Sequence, residues 1–99
     1  MFTITIGGLQ RSSGELTESW VSQQVNKRRR EGKDVCVRLS VNGITLTSCG
    51  CPPIGGRGGG KLSRKQNRII ELWRKHGLHE CEFTGGNVVA FLKQLSSIV

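Results

Sequence analysis

The sequence predicts a single small α+β domain spanning residues 1–99, with the element order β-α-β-β-α-β-α. Three observations carry that prediction: an alternating apolar run at the N-terminus, an Asn-Gly dipeptide between two further alternating runs, and three amphipathic stretches of helical period. The first six elements follow the split βαβ order, in which a four-stranded, mainly antiparallel sheet carries two helices on one face. A C-terminal helix is added to this frame.

In residues 2–6, Phe2, Ile4 and Ile6 alternate with Thr3 and Thr5, which makes a half-buried strand closed by Gly7-Gly8. Residues 9–14 form a polar connection. From about Glu15 to Glu31 the period turns helical. Leu16, Trp20, Val21, Gln24, Val25 and the stem of Arg28 share one side, with Thr17 as N-cap and Gly32 as stop. Val35–Val41 and Ile44–Cys49 flank Asn42-Gly43, the sequence of a two-residue type I′ hairpin. Its register pairs Val41 with Ile44 and Leu39 with Leu46, and places Cys36 opposite Cys49. Val35, Val37, Leu39, Val41, Ile44 and Leu46 then form the core face.

Ser63 and Gln66 make a capping box for a helix over 64–76, closed by Gly77. Ile69, Ile70, Trp73 and His76 take its inner side. Arg64, Arg68 and Lys75 take the outer side, with Glu71 among them at salt-bridge spacing. Residues 78–83 read as a short fourth strand and 84–87 as a turn and helix cap. Val88, Phe91, Leu92, Leu95 and Val99 trace the apolar stripe of the last helix, which either covers the sheet or awaits a partner.

Fifteen Lys and Arg against seven Asp and Glu leave a formal net charge of +8. Such an excess attracts polyanions and says nothing of fold. The cations fall in two groups. Lys27, Arg28, Arg29, Arg30 and Lys33 close the first helix, where they also complement the helix dipole. Arg57, Lys61, Arg64, Lys65, Arg68, Arg74 and Lys75 run through a glycine-dense segment and the second helix.

That segment, with its glycine-rich loop at 55–60, is the candidate site. Backbone amides of Gly58, Gly59 and Gly60 ahead of a helix N-terminus suit phosphate oxygens, and Arg57 and Lys61 add charge. Gly55 to Lys61 matches the start of the phosphate-loop pattern G-x-x-x-x-G-K. The next position, where that motif needs Ser or Thr for magnesium, is Leu62. Nucleotide hydrolysis is therefore not expected, and no cofactor is implied. The outward strand positions Thr3, Thr5, Thr45 and Thr47 carry no aromatic, so base stacking on the sheet is not expected either.

The N-terminus lacks a basic region followed by an apolar run, and no segment has the length of a membrane span. A cytoplasmic location follows, with the cysteines as thiols. Cys36, Cys49, Cys51, His76, His79 and Cys81 are enough ligands for a tetrahedral zinc, but C-x-C and H-x-x-H-x-C are not the spacings of common structural zinc modules. No Cys–His pair shows an orienting carboxylate.

The expected function is thus a non-enzymatic domain that binds nucleic acid or another polyanion, through Arg57, Lys61, Arg64, Arg68 and Lys75 and the glycine amides. The alternative is a protein-interaction or inhibitor module that meets an acidic protein with its basic face or its last helix.

Overall fold

The computed structural model describes residues 2–51 and 61–98. The elements are β1 (Phe2–Ile6), β2 (Leu9–Ser12), a 3-10 turn (Ser13–Glu15), α1 (Glu18–Arg30), β3 (Val37–Val41), β4 (Ile44–Thr47), α2 (Arg64–Lys75) and α3 (Gly85–Ile98). The class is α+β with a four-stranded antiparallel sheet, as the sequence predicts, and the strand order is β2-β1-β3-β4.

The order along the chain is corrected in one place. The fourth strand is formed by Leu9–Ser12, not by residues 78–83, so the sheet is two hairpins rather than a split βαβ unit. The cause lies in the turns. Gly7 and Gly8 both have positive φ (59° and 88°), the signature of a tight type I′ turn, and the chain returns at once to pair Ile6 with Leu9 and Thr3 with Ser12. At the other place, Gly77 takes φ 71°. The Gly77 amide then bonds to the Arg74 carbonyl at 3.0 Å and the Leu78 amide to the Trp73 carbonyl at 3.1 Å, a Schellman ending for α2. Leu78 and Phe83 are buried, but as plugs at a helix end rather than as rungs of a sheet.

The Asn42-Gly43 hairpin forms in the predicted register, with Leu39 opposite Leu46 and Val41 opposite Ile44. Asn42 (φ 48°) and Gly43 (φ 78°) both sit in the left-handed region that this turn requires. Both predicted helix starts are realised. Thr17 Oγ1 accepts from the Trp20 amide at 3.1 Å. Ser63 and Gln66 close the capping box reciprocally, at 3.1 and 2.8 Å.

Phe2, Ile4, Ile6, Val37, Leu39 and Val41 are buried on one face of the sheet. Val21 and Val25 of α1, Ile69 and Trp73 of α2, and Val88, Phe91 and Leu95 of α3 complete the same core. α3 packs against both α1 and α2. The predicted stripe of the last helix is therefore spent on the core, and Val99 lies outside the described residues. Phe91 meets Trp73 edge to face, with ring centroids 5.3 Å apart.

The helix directions decide where the charges go. Arg28 at the end of α1 donates to the carbonyl of Gly7, so α1 finishes beside the β1–β2 turn. Gln66 in the first turn of α2 donates to the Asn42 carbonyl at 2.7 Å, so α2 starts beside the β3–β4 turn. These two turns mark opposite ends of the sheet. α1 and α2 thus run the same way, while the Lys93–Glu18 pair at 3.1 Å shows α3 returning between them.

Candidate functional site

α2 is fixed at its N-terminus by the capping box and along its length by Ile69 and Trp73, both buried. That anchoring turns Arg64, Arg68 and Lys75 outward, and all three are exposed. At 3.6 residues per turn they fall within about 40° of one another around the helix axis. Lys61, Lys65 and Arg74 are exposed as well. Among the described residues, none of these six side chains has an ion pair or a hydrogen bond. Glu71 shares the face, yet it too makes no ion pair there. Arg68 and Lys75 line one wall of an open groove whose other wall is Gln94, Ser97 and Ile98 of α3, with Leu72 also lining it. Arg57, Gly58, Gly59 and Gly60, which the sequence singles out, lie outside the described residues.

The other basic group behaves differently. Arg28 is held by the Gly7 carbonyl. Arg29 donates to the carbonyls of Cys81, at 3.0 Å, and Phe83, and its guanidinium lies 5.2 Å from the centre of the Phe83 ring. Lys33 pairs with Glu31 at 3.3 Å. Arg28 and Arg29 thus tie α1 to the β1–β2 turn and to the segment after α2. Lys27 and Arg30 remain exposed beside Gln23, Gln24 and Asn26, but α3 stands between their helix and α2. Arg11 is likewise engaged, 5.0 Å above the Trp20 ring.

The cysteines depart most from the sequence reading. All four are paired, as Cys36–Cys51 and Cys49–Cys81, with Cα separations of 4.5 and 4.8 Å. Neither free thiols nor the expected facing pair Cys36–Cys49 is present. The reason is local. The β3–β4 ladder stops at Arg38 and Thr47. Ser48 then turns inward and is buried, its Oγ accepting from the Val37 amide and donating to the Val35 carbonyl, each at 3.0 Å. The Cys51 amide bonds back to the Ser48 carbonyl at 3.3 Å, a tight turn that swings Cys51, not Cys49, onto Cys36. Cys49 is left facing outward, where Cys81 meets it.

Pairing removes the thiolates from the metal candidates Cys36, Cys49, Cys51 and Cys81, and His79 stands exposed, 3.8 Å from Glu80. No group of three or more metal-ligating side chains is found among the described residues. His76 is half-buried with its ring steeply inclined to that of Phe91, and its Nε2 has no hydrogen-bond partner among the described residues. An even cysteine count in a chain of this length is itself a signal for a disulfide framework, but four cysteines allow three connectivities and the spacing does not choose among them.

Gly50 makes a testable point of this turn. A Cβ there would stand 2.9 Å from the Val35 carbonyl oxygen and 2.9 Å from Asp34 Cβ. Backbone cannot move aside cheaply, so Gly50→Ala is expected to cost about 1–3 kcal/mol by overpacking. Gly14→Ala, where nothing lies within 4 Å, is the control and is expected to change little. Thermal unfolding of the two variants measures the difference; equal midpoints would show that the turn is not packed on Val35.

Among the described residues no helix is long and apolar enough to cross a membrane. Comparison with protein-family models, curated proteins and solved structures finds no match for this chain.

Proposed function

We propose that this protein is a small, disulfide-braced binding domain that engages a polyanion, in the first place nucleic acid, through the outer face of α2 and the adjoining glycine segment, without catalysis. The observation that supports this most is the division of labour among the cations. In the first group Arg28, Arg29 and Lys33 are engaged by carbonyls, an aromatic ring and a carboxylate, and only Lys27 and Arg30 stay exposed and unengaged, whereas Lys61, Arg64, Lys65, Arg68, Arg74 and Lys75 are all exposed with no ion pair among the described residues. A net charge of +8 adds a favourable long-range field. The cytoplasmic location expected from four thiols loses its footing once all four are paired, because disulfides persist mainly in oxidising compartments. An oxidising compartment is the location this pairing supports.

Affinity in this reading comes from phosphate neutralisation, since no base-reading element is found among the described residues. Binding to duplex DNA is expected to be nearly independent of sequence. It should weaken with salt at a log–log slope of about −0.9 per phosphate contact. Arg64→Glu with Arg68→Glu should lower the steepness of that slope by about 2 and weaken binding across all sequences. The fold should survive, because both side chains point away from Ile69 and Trp73. Fluorescence anisotropy over a salt series, with duplex DNA and single-stranded RNA, makes the measurement. No binding at low salt, or binding indifferent to the double reversal, would turn the reading toward an acidic protein partner. With the α3 stripe buried, that partner would have to meet the basic face.

A further inference from the structure

The two disulfides converge on one short turn, Ser48–Cys51, at one end of the sheet. We propose that they act as a single thiol–disulfide exchange site, entered at Cys49–Cys81 by an external dithiol and relayed through Cys49 to Cys36–Cys51.

Access differs between the two bonds. Cys49 and Cys81 are both exposed, whereas Cys36 and Cys51 are half-buried. An incoming thiolate therefore reaches the outer bond first, and access is one of the terms that sets exchange rates. Placement then favours transfer inward. Cys49 is separated from Cys51 by Gly50 alone, and it lies between Ser48, whose amide bonds to the Val37 carbonyl at 3.0 Å, and Gly50, which abuts Val35, so its backbone passes beside Cys36. A thiolate at Cys49 consequently starts one residue from the inner bond along the chain and on the backbone next to it. The turn is held while this happens, by the two Ser48 hydrogen bonds and by the contact of Gly50 with Val35. The inner sulfur also has a place when reduced: Cys51 Sγ lies 3.4 Å from the Val37 carbonyl oxygen, which can accept the hydrogen of a thiol.

The steps balance without any further oxidant. The external dithiol attacks Cys49–Cys81 and leaves as a cyclic disulfide, and Cys49 and Cys81 become thiols. The Cys49 thiolate attacks Cys36 Sγ; the Cys36–Cys51 bond breaks, a Cys36–Cys49 bond forms and Cys51 leaves as a thiolate. The Cys81 thiolate then attacks Cys49 Sγ, which restores Cys49–Cys81 and releases Cys36. In sum, one dithiol is oxidised and Cys36–Cys51 gains two electrons.

Partial reduction of the intact protein with dithiothreitol, followed by acid quenching, alkylation and peptide mapping, tests the relay. The expected result is a Cys36–Cys49 species at early times, and then molecules with thiols at Cys36 and Cys51 and an intact Cys49–Cys81 bond. If the two native bonds are lost independently and no Cys36–Cys49 species forms, the disulfides are simple staples and the proposal fails. Single variants sharpen the contrast. In Cys81→Ser the unpaired Cys49 should exchange, leaving a fraction of chains with Cys36–Cys49 and a free Cys51. In Cys49→Ser the free thiol should stay at Cys81 and the Cys36–Cys51 bond should persist. Retention of Cys36–Cys51 in every molecule of both variants would overturn the relay. Should a variant fail to fold, the wild-type trapping decides.

Discussion

Phe91→Ala is expected to remove about 3–5 kcal/mol of stability, a large part of the roughly 5–15 kcal/mol that holds a domain of this kind folded. Phe91 is fully buried at the middle of α3, the helix that packs against both α1 and α2. Its ring stands edge to face with Trp73 at 5.3 Å and toward His76 at 6.3 Å. Truncation therefore opens a cavity where α2 and α3 join. Trp73 lies beside that cavity, so urea titration followed by tryptophan fluorescence reports the loss directly. Lys93→Ala on the same helix breaks only the exposed pair with Glu18 and should cost less than about 1 kcal/mol. Two variants with equal midpoints would mean that α3 is not the keystone of the helix layer.

α3 was legible in the sequence because its stripe of Val88, Phe91, Leu92 and Leu95 repeats at helical spacing. Asn42-Gly43 was legible because few other dipeptides accept positive φ at both turn positions. β2 was not. Leu9-Gln10-Arg11-Ser12 shows no clear alternation of apolar and polar residues, since an edge strand needs little apolar surface, and Arg11 covers Trp20 where a hydrophobic side chain would be expected. The converse error fell at 78–83, where Leu78 and Phe83 are apolar and buried but follow a Schellman turn whose hydrogen bonds only the backbone reveals.

At the candidate site, charge was legible and commitment was not. Lys27, Arg28, Arg29 and Arg30 look alike in sequence, but Arg29 is claimed by carbonyls 52 and 54 residues further along the chain. Such long-range acceptors leave no trace in local spacing. The cysteine pairing failed for a related reason. The predicted register holds as far as Arg38 and Thr47, and extending it by two more pairs, to Cys36 and Cys49, overlooks Ser48, whose hydroxyl takes over the backbone groups of Val35 and Val37 and ends the ladder.

Removing the disulfides should cost more than any single core truncation. In the loop-closure account, Cys36–Cys51, with a sequence separation of 15, contributes about 3 kcal/mol, and Cys49–Cys81, with a separation of 32, somewhat more. Together they approach the whole stability of a typical small domain, and a chain that is only 35% hydrophobic has little core to spare. Paired serine variants, Cys36→Ser with Cys51→Ser and Cys49→Ser with Cys81→Ser, leave no free thiol within either half and so keep exchange out of the measurement. Each is expected to lower the urea midpoint, and the four-serine variant should be largely unfolded at 37 °C. The ranking carries the physics. If closure entropy dominates, losing Cys49–Cys81 costs more, because it closes the longer loop. If losing Cys36–Cys51 costs more, its worth lies in holding Ser48 and Gly50 against Val35, where the turn is packed. A four-serine variant with the wild-type midpoint would show that neither bond braces the fold.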